Sequence, residues 1–271
     1  TLFRSRVMAL TTLDGFLAAA KQRVPLLKTA SRTSVAATPF SVFDVAGNPG
    51  AGTLAGTSTT TGVVPTDATA GCPVINAFGG GATGYITRLE ASGSVACRIT
   101  LYDMLWKGGA YAFNANTTGN TPTSYASRLP NTDYKGLELW LEQVTAATGI
   151  QSVAVAYINQ DGTAGRSTGT VSQGTAGIVG RMTPLPLQAG DSGIQGVTGV
   201  VGSVATAGTF NILVLRPLAE ARIRVANDAV VQDLMTTGAP IVFDVSALMM
   251  IVTADSTATG LPDLQIDISN G

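Results

Sequence analysis

The most restrictive feature of the sequence is a long uncharged stretch in its last third. Between Ser192 and Leu215 the chain carries no charged residue, and by count alone this stretch could cross a bilayer. Five glycines interrupt it, which is typical of short strands joined by tight turns and not of a membrane helix. We therefore predict two strands, 194–204 and 209–215, that pair as an antiparallel hairpin in the centre of a β domain.

The second of these strands has no face that suits water. Phe210, Ile212 and Val214 alternate with Leu213 and Leu215, so both faces are apolar. In a lone two-layer sandwich the face of Leu213 and Leu215 would be exposed. We expect that face to be covered by the N-terminal arm or by a neighbouring subunit.

Charge is scarce along the whole chain of 271 residues, with 16 basic and 17 acidic side chains. The charged share of 12% is about half that of an ordinary soluble domain. The net charge of −1 gives no clustered basic surface, so we expect no nucleic-acid partner, and no membrane partner either. A weakly charged surface favours association, which indicates a subunit of a larger assembly.

The absence of histidine limits metal and cofactor chemistry. Cys72 and Cys97 alone cannot build a zinc site, and we predict no metal and no other cofactor. The two cysteines could form one disulfide, but Cys97 falls on the apolar phase of a strand pattern, which favours a buried free thiol. No cleavable signal is visible after Thr1, so we expect synthesis in a reducing cytoplasm.

Residues 1–34 read as a basic N-terminal arm with a short helix. The arm holds six of the sixteen basic residues and one acid, Asp14. Its apolar residues recur at helical spacing, and Pro25 ends the helix or its continuation. Those apolar residues are Leu10, Leu13, Phe16, Leu17 and Ala20. Either the helix packs on its own domain or the arm docks on a neighbouring acidic surface, and the sequence leaves both open.

Residues 35–84 read as an extended loop region, and residues 85–271 as a β-sandwich domain. The loop region has turn composition at 48–52 and low complexity at 56–62, and we expect it to be pinned against other subunits. From residue 85 onward, apolar and polar residues alternate with glycine turns between the runs, which predicts eight to ten strands. The predicted fold class is mainly β, an antiparallel β-sandwich or jelly roll with an N-terminal helical or extended arm.

Two motifs resemble active-site signatures, and we interpret both as turns or loops. Gly190-Asp-Ser-Gly matches the nucleophile motif of trypsin-like serine proteases, but Ser192 would need an imidazole base that the chain lacks. Gly79, Gly81 and Gly84 satisfy G-x-G-x-x-G, but a dinucleotide site needs a strand before the motif and a helix after it. Here a loop precedes the motif and a strand pattern follows it.

Glu138 and Glu142 are candidates for the pair of catalytic carboxylates that glycoside hydrolases use. They lie four residues apart on one strand, about 13 Å between Cα atoms, which is too far for the usual pair. We expect them on a solvated face. We therefore predict no catalytic, cofactor-binding or metal-binding residue, and no enzymatic activity.

Several motifs resemble structural proteins of tailed bacteriophages, over residues 38 to 271. They are FSVFDVAGNPGAGTL at 40–54, GVVPTDA at 62–68, INAF at 75–78, TGY at 83–85, RITLYD at 98–103, DYKGLELW at 133–140, GRMTPLPLQAGDSGIQ at 180–195, and the segment 199–217. The resemblance implies a virion component, a head decoration or cement protein that binds the major capsid protein and copies of itself, with a trimer among the candidate oligomers. It implies a location on the phage head after synthesis in the host cytoplasm. A tail or connector ring subunit, and a head fibre that binds a host receptor or glycan, remain as alternatives.

Overall fold

The computed structural model describes residues 12–79, 82–203 and 207–271. Their fold is mainly β and built from antiparallel sheets, so the predicted fold class is confirmed. The strands are β1 (Ala20–Lys28), β2 (Pro39–Ser41), β3 (Gly47–Asn48), β4 (Ser58–Val63), β5 (Gly84–Gly93), β6 (Cys97–Ala112), β7 (Asn116–Thr118), β8 (Glu138–Thr145), β9 (Ile150–Asn159), β10 (Arg166–Ser167), β11 (Val171–Ala176), β12 (Met182–Leu185), β13 (Ile194–Gly202), β14 (Thr209–Ile223), β15 (Asp228–Gln232), β16 (Ile241–Val242), β17 (Leu248–Ala254) and β18 (Asp263–Asn270). The helices are α1 (Leu13–Ala18) and α2 (Leu234–Thr237), with 3-10 turns at Ala126–Arg128 and Pro130–Thr132. Eight to ten strands were predicted from residue 85 onward, whereas the described residues of that part form 14, β5 to β18, of which β7, β10 and β16 have only two or three residues.

The described strands form three sheets. The central sheet has the order β12-β8-β14-β6-β17-β2, and β4 pairs with β6. Outer sheet I has the order β15-β5-β18-β1-β3, with β16 on β5. Outer sheet II has the order β10-β9-β13-β7, with β11 on β9.

The central sheet curls until its two ends meet. Its edge strand β2 is bridged to the residue before β12, where Phe40 faces Arg181 and the Ser41 N–H donates to the Gly180 carbonyl at 2.7 Å. The long strands β6 and β14 pair along nearly their whole length. The sheet therefore has an inside and an outside, and the strands β6, β8, β12, β14 and β17 contribute side chains to both.

Three hydrophobic cores follow from this geometry. One lies between the central sheet and outer sheet I, and a second lies between the central sheet and outer sheet II. The third, which we call the ring core, fills the inside of the curled sheet. It consists of Phe43, Cys72, Tyr102, Met104, Trp140, Met182, Leu213, Leu215, Ala247, Met249 and Ile251.

The hairpin predicted from the uncharged stretch is wrong. β13 pairs with β9 and β7 in outer sheet II, whereas β14 pairs with β6 and β8 in the central sheet. A strand has only two edges, and both edges of each strand are taken by these other partners. The chain between them crosses from one sheet to another, and its residues 204–206 lie outside the described part.

The prediction that both faces of β14 are buried is confirmed. Phe210, Ile212 and Val214 enter the core against outer sheet II, while Leu213 and Leu215 enter the ring core with no exposed surface. The expected cover was wrong, however. Phe43 and Cys72, from the segment between β2 and β5, complete the ring core with residues of the sheet itself, so the chain covers this face without the arm or a neighbour.

The segment expected as an N-terminal arm is largely part of a sheet where the structure describes it. The predicted helix is present but shorter, at α1, and the strand β1 follows at once and pairs with β18 from Ala20 to Leu27. Val24 and Leu26 are each 1% exposed, because alternate residues of β1 point to the same face and that face packs against the core. Pro25 lies within this strand and ends no helix.

The segment 35–84 is a long connection pinned to its own domain. It contributes the short strands β2 and β4 to the central sheet and β3 to outer sheet I. The strands before residue 85 thus belong to the same sheets as those after it, so residues 34 and 84 do not separate packing units. In the part of the chain that is described, no helix is long and apolar enough to span a membrane.

Candidate functional site

The GDSG motif forms a turn that is anchored by its aspartate. Both carboxylate oxygens of Asp191 accept hydrogen bonds from the Arg166 guanidinium, at 2.8 and 2.9 Å. Tyr157 donates its hydroxyl at 2.6 Å and Asn159 its side-chain amide at 2.9 Å. The Arg166 hydrogen bonds, with those from Asn159 and Tyr157, hold the pKa of Asp191 well below its ordinary range. We call this cluster the Asp191 clamp, and it ties the turn to strands β9 and β10.

Ser192 lies on the outside of the same turn. Its side chain is exposed, its N–H donates to Gln160 Oε1 at 2.9 Å, and its carbonyl accepts from the Gly136 N–H at 2.7 Å. Next to it, a Cβ on Gly193 would lie 1.8 Å from the Tyr134 carbonyl oxygen, so only glycine fits there. The motif is explained by turn geometry, as the sequence interpretation held.

A second carboxylate, Asp103, is fully buried on β6 and forms what we call the Asp103 clamp. One oxygen accepts from Arg128 and from the Ala247 N–H at 3.0 Å, and the other accepts from Arg216 at 3.0 Å and Ser246 at 2.8 Å. Four parts of the chain, remote from one another in sequence, meet at this one carboxylate. Its oxygens are fully engaged, which is the condition under which a buried charge is tolerated.

The Arg128 and Arg216 side chains extend the Asp103 clamp to two further parts of the chain. Arg128 also donates to the Pro65 carbonyl at 2.5 Å, and Arg216 to the Ile241 carbonyl at 2.9 Å. Arg128 is only 3% exposed. The clamp therefore holds the 35–84 segment and the chain before β17 on the central sheet.

Glu142 does not lie on a solvated face, so that expectation was wrong. It is 1% exposed, and its Oε2 accepts from Asn211 at 2.7 Å and lies 3.8 Å from the Lys107 ammonium. The cause is non-local, since the segment 53–56 lies on top of these side chains. Lys107 donates to the Thr53 carbonyl at 3.0 Å, and Asn211 donates to the Leu54 carbonyl at 2.7 Å.

Glu138 is half-buried and is also held by its own chain. Its Oε2 accepts from the Tyr102 hydroxyl at 3.0 Å and from the Trp140 indole N–H at 2.8 Å. Burial and the neighbouring carboxylate raise the pKa of Tyr102 well above its ordinary value. Glu138 and Glu142 therefore sit in separate hydrogen-bond clusters along β8.

The two cysteines and the glycines of the G-x-G-x-x-G pattern are the remaining residues singled out from the sequence. Cys97 is buried in the core under outer sheet I and Cys72 in the ring core, and both are free thiols, as predicted for Cys97. Burial raises the pKa of Cys72 to about 12 and that of Cys97 to about 11, so the thiolate form of both is disfavoured at neutral pH. Gly84 begins strand β5 and packs on Phe78, whereas Gly81 lies outside the described residues.

Within 12–79, 82–203 and 207–271, no three Cys, Asp or Glu side chains cluster in a way that could hold a metal ion. The carboxylates of Asp103, Glu138, Glu142 and Asp191 join chain segments, because each accepts hydrogen bonds from other parts of the chain.

An open groove on outer sheet I is the clearest candidate contact surface. It has a volume of about 600 Å³ and lies between α1, which contributes Phe16, and α2, which contributes Leu234. Arg23, Arg88 and Asp267 line it from the strands of the sheet. We call it the helix groove.

Sequence reasoning missed the two clamps, although the sequence carries a signal for one of them. Asp103 and Lys107 are charged residues inside the otherwise apolar run of β6, and a charge in such a run indicates a buried partner. Asp191 was treated only as part of a protease-like motif. Its partner Arg166 lies on a two-residue strand that no local pattern reveals.

Comparison with known proteins does not assign the chain to a family. No family model matches it, and no curated protein matches it. Among similar solved structures are the infectious bursal disease virus Gt strain, at 8% identity over 93% of this chain and 81% of that one with a TM-score of 0.18. A VP2 subviral particle of the same virus matches at 9% identity over 93% and 80%, with a TM-score of 0.16. Matches at such TM-scores do not superpose as one fold.

Proposed function

We propose that the chain is a non-enzymatic structural subunit of a tailed-bacteriophage virion, a head decoration or cement protein that binds the major capsid protein. The proposal rests on one observation: the motifs that resemble tailed-phage structural proteins provide residues of the ring core and of both clamps. They supply Phe43 and Trp140 to the ring core and Asp103 and Asp191 to the clamps. The shared residues are thus engaged in holding the chain together.

The use of charge supports a scaffold role. Charged residues are few, yet Asp103 and Glu142 are buried inside the fold and bonded to other chain segments. Arg216 and Asp103 are 113 positions apart in sequence. Removing either partner of such a pair is strongly destabilising, so the clamps favour one fixed arrangement of the sheets. A subunit that stabilises a shell needs such a fixed shape.

The low charge of the surface supports a protein that functions in association with other subunits. Exposed positions among the described residues are mostly uncharged, and a surface of low net charge promotes association. A permanent contact with capsid protein would bury upwards of about 2,000 Å². The proposed location is the outside of the phage head.

The proposal is tested by adding the purified protein to virus particles that lack it. We expect saturable binding to the head, measured by co-sedimentation and by cryo-electron microscopy of the decorated particles. The Ser192→Ala variant serves as a matched control and should bind as the wild type does. Binding at the tail or connector would favour the alternative ring subunit, and folded protein that binds no part of the particle would contradict the proposal.

A further inference from the structure

The helix α1 is held in shape without being buried in its own domain. Thr12 caps its start by accepting from the Gly15 N–H at 3.0 Å. At its other end, the Lys21 ammonium donates to the carbonyls of Phe16, Leu17 and Ala19, at 2.8 to 3.2 Å. A six-residue helix is unstable in water by itself, so these caps offset the cost of forming it.

The apolar side chains of α1 remain outside the domain. Against the described part of the chain none of its six residues is buried, and Leu13 and Leu17 are 71% and 64% exposed. Their spacing of four residues places them on one side of the helix. Across the groove, Met235 on α2 is 87% exposed. A preformed helix with an exposed leucine pair is the arrangement that helix-in-groove recognition uses.

The charges around the helix groove are balanced. Arg23 pairs with Asp267 at 2.7 Å, and Arg88 lies 2.7 Å from Glu90 and 3.6 Å from Asp267. Lys21 and Asp233 add one charge of each sign, which makes three of each around the groove. A uniformly acidic or basic partner would meet repulsion from one half of this set, whereas a partner with the same mixed set can match both signs.

We propose that the helix groove is a contact between two copies of this chain, in which α1 of each copy lies in the groove of the other. The charges favour a second copy over a uniformly charged partner, because the ion pairs of the groove leave no net charge and a two-fold contact brings the same balanced patch of each copy together. The net charge of −1 gives little repulsion between copies. This contact deepens the proposed function, since it supplies the subunit contact that a shell-bound protein needs.

The contact is weak by size. A stable dimer buries about 800 Å² and about 20–30 residues on each partner, whereas α1 has six residues and α2 has four. We therefore expect association in the range of about 1 μM to 1 mM, where affinities of small interfaces lie. On a particle surface, where copies are held close together, such an affinity is sufficient.

Sedimentation equilibrium across that concentration range tests the contact. We expect the wild type to associate reversibly. Leu17→Lys and Met235→Lys should each raise the dissociation constant by about tenfold or more, because each places a charge in an apolar contact. Ile150→Lys is the matched control, since Ile150 is 61% exposed on outer sheet II, and it should associate like the wild type.

Each result bears directly on the proposal. All three positions are exposed, so the variants should keep the melting temperature of the wild type, which circular dichroism checks. A wild type that stays monomeric up to about 1 mM overturns the contact, as do groove variants that associate as tightly as the control. Loss of association with retained particle binding would leave the proposed function intact, and loss of particle binding alone would leave the contact intact.

Discussion

Asp191 and Arg166 form a two-point ion pair in which both guanidinium–carboxylate distances are below 3 Å, at 2.8 and 2.9 Å. The pair joins the turn before β13 to strand β10, and Tyr157 and Asn159 complete the shell of donors. The protease-like motif is thus a structural contact, in which the turn before β13 is hydrogen-bonded to strands β9 and β10 of outer sheet II. The important residue of the motif is the aspartate, and the serine beside it faces solvent.

Substitutions in the GDSG turn separate these two roles. Asp191→Asn should lower the melting temperature by several degrees, because it removes the charge that Arg166, Tyr157 and Asn159 surround. Ser192→Ala should leave it unchanged, since the described contacts of Ser192 are made by its backbone. Differential scanning calorimetry of the two variants measures both effects. If Ser192→Ala were the destabilising change, or if it abolished a peptide- or ester-hydrolysing activity, the structural account of this motif would fail.

The depressed pKa of Asp191 predicts a loss of stability in acid. Its folded pKa lies below the ordinary value of about 3.9, so the pair contributes fully above that value and the contribution is lost as the pH falls through the folded pKa. The difference in the free energy of unfolding between wild type and Asp191→Asn should therefore be constant near neutral pH and should shrink below about pH 4. Urea titrations at a series of pH values measure this difference. A gap that stays constant through the acid range would show that the charge of Asp191 is not what stabilises the turn.

The Asp103 clamp should be the most costly polar site to disrupt. Asp103→Ala leaves Arg128 and Arg216 without their buried partner and should cost about 3–5 kcal/mol in the free energy of unfolding. Asp161→Asn is the control, because Asp161 is exposed in a turn, and it should be nearly neutral. Urea unfolding gives both values, and equal effects for the two variants would refute the clamp.

The ring core predicts a specific change in thiol reactivity. Phe43→Ala removes the side chain that packs over Gly52 and Gly71 beside Cys72, and should cost about 3–5 kcal/mol. It should also admit solvent to Cys72, whereas Cys97 lies in the core under outer sheet I and stays protected. Labelling the native protein with a thiol reagent, followed by peptide mapping, distinguishes the two cysteines. Equal labelling of both would mean that the variant had lost its global fold and not only its ring core.

Truncation from the N-terminus should show a sharp boundary at β1. Removing residues 1–18 takes away α1 and should leave cooperative unfolding, since α1 buries nothing in the described domain. Removing residues 1–34 also takes away β1, which contributes Val24 and Leu26 to the core and is paired to β18. That longer deletion should abolish cooperative thermal unfolding. A cooperative transition in the protein that lacks residues 1–34 would contradict this prediction and would show that the whole segment is a detachable arm.

The faces of single strands were predictable because their signal is local. The alternation at 97–101, 137–141 and 153–157 correctly identified which residues face a core, since neighbouring side chains in a strand point to opposite sides. The complete burial of β14 followed from its lack of charge in the same way.

Strand pairing and the cover of the ring core were not predictable from local patterns. The sequences of β13 and β14 suit a hairpin, but β9 and β6, both distant in sequence, take the edges that the hairpin would need. Glu142 has the pattern of a solvated position, but it lies against Asn211 and Lys107, which both donate to the segment 53–56, far away in the chain. Both failures arise from contacts between residues that are remote in sequence, which periodicity does not encode.

The central claim, that this chain is a structural part of a virion, is tested most directly by its copy number in purified particles. Quantitative mass spectrometry would give the ratio of this chain to the major capsid protein. If the chain is a head decoration protein, we expect many copies per particle in a fixed ratio to the capsid subunits, and this ratio should not change on further purification. Absence from the purified particles would contradict the account, and a few copies per particle would contradict its assignment to the shell.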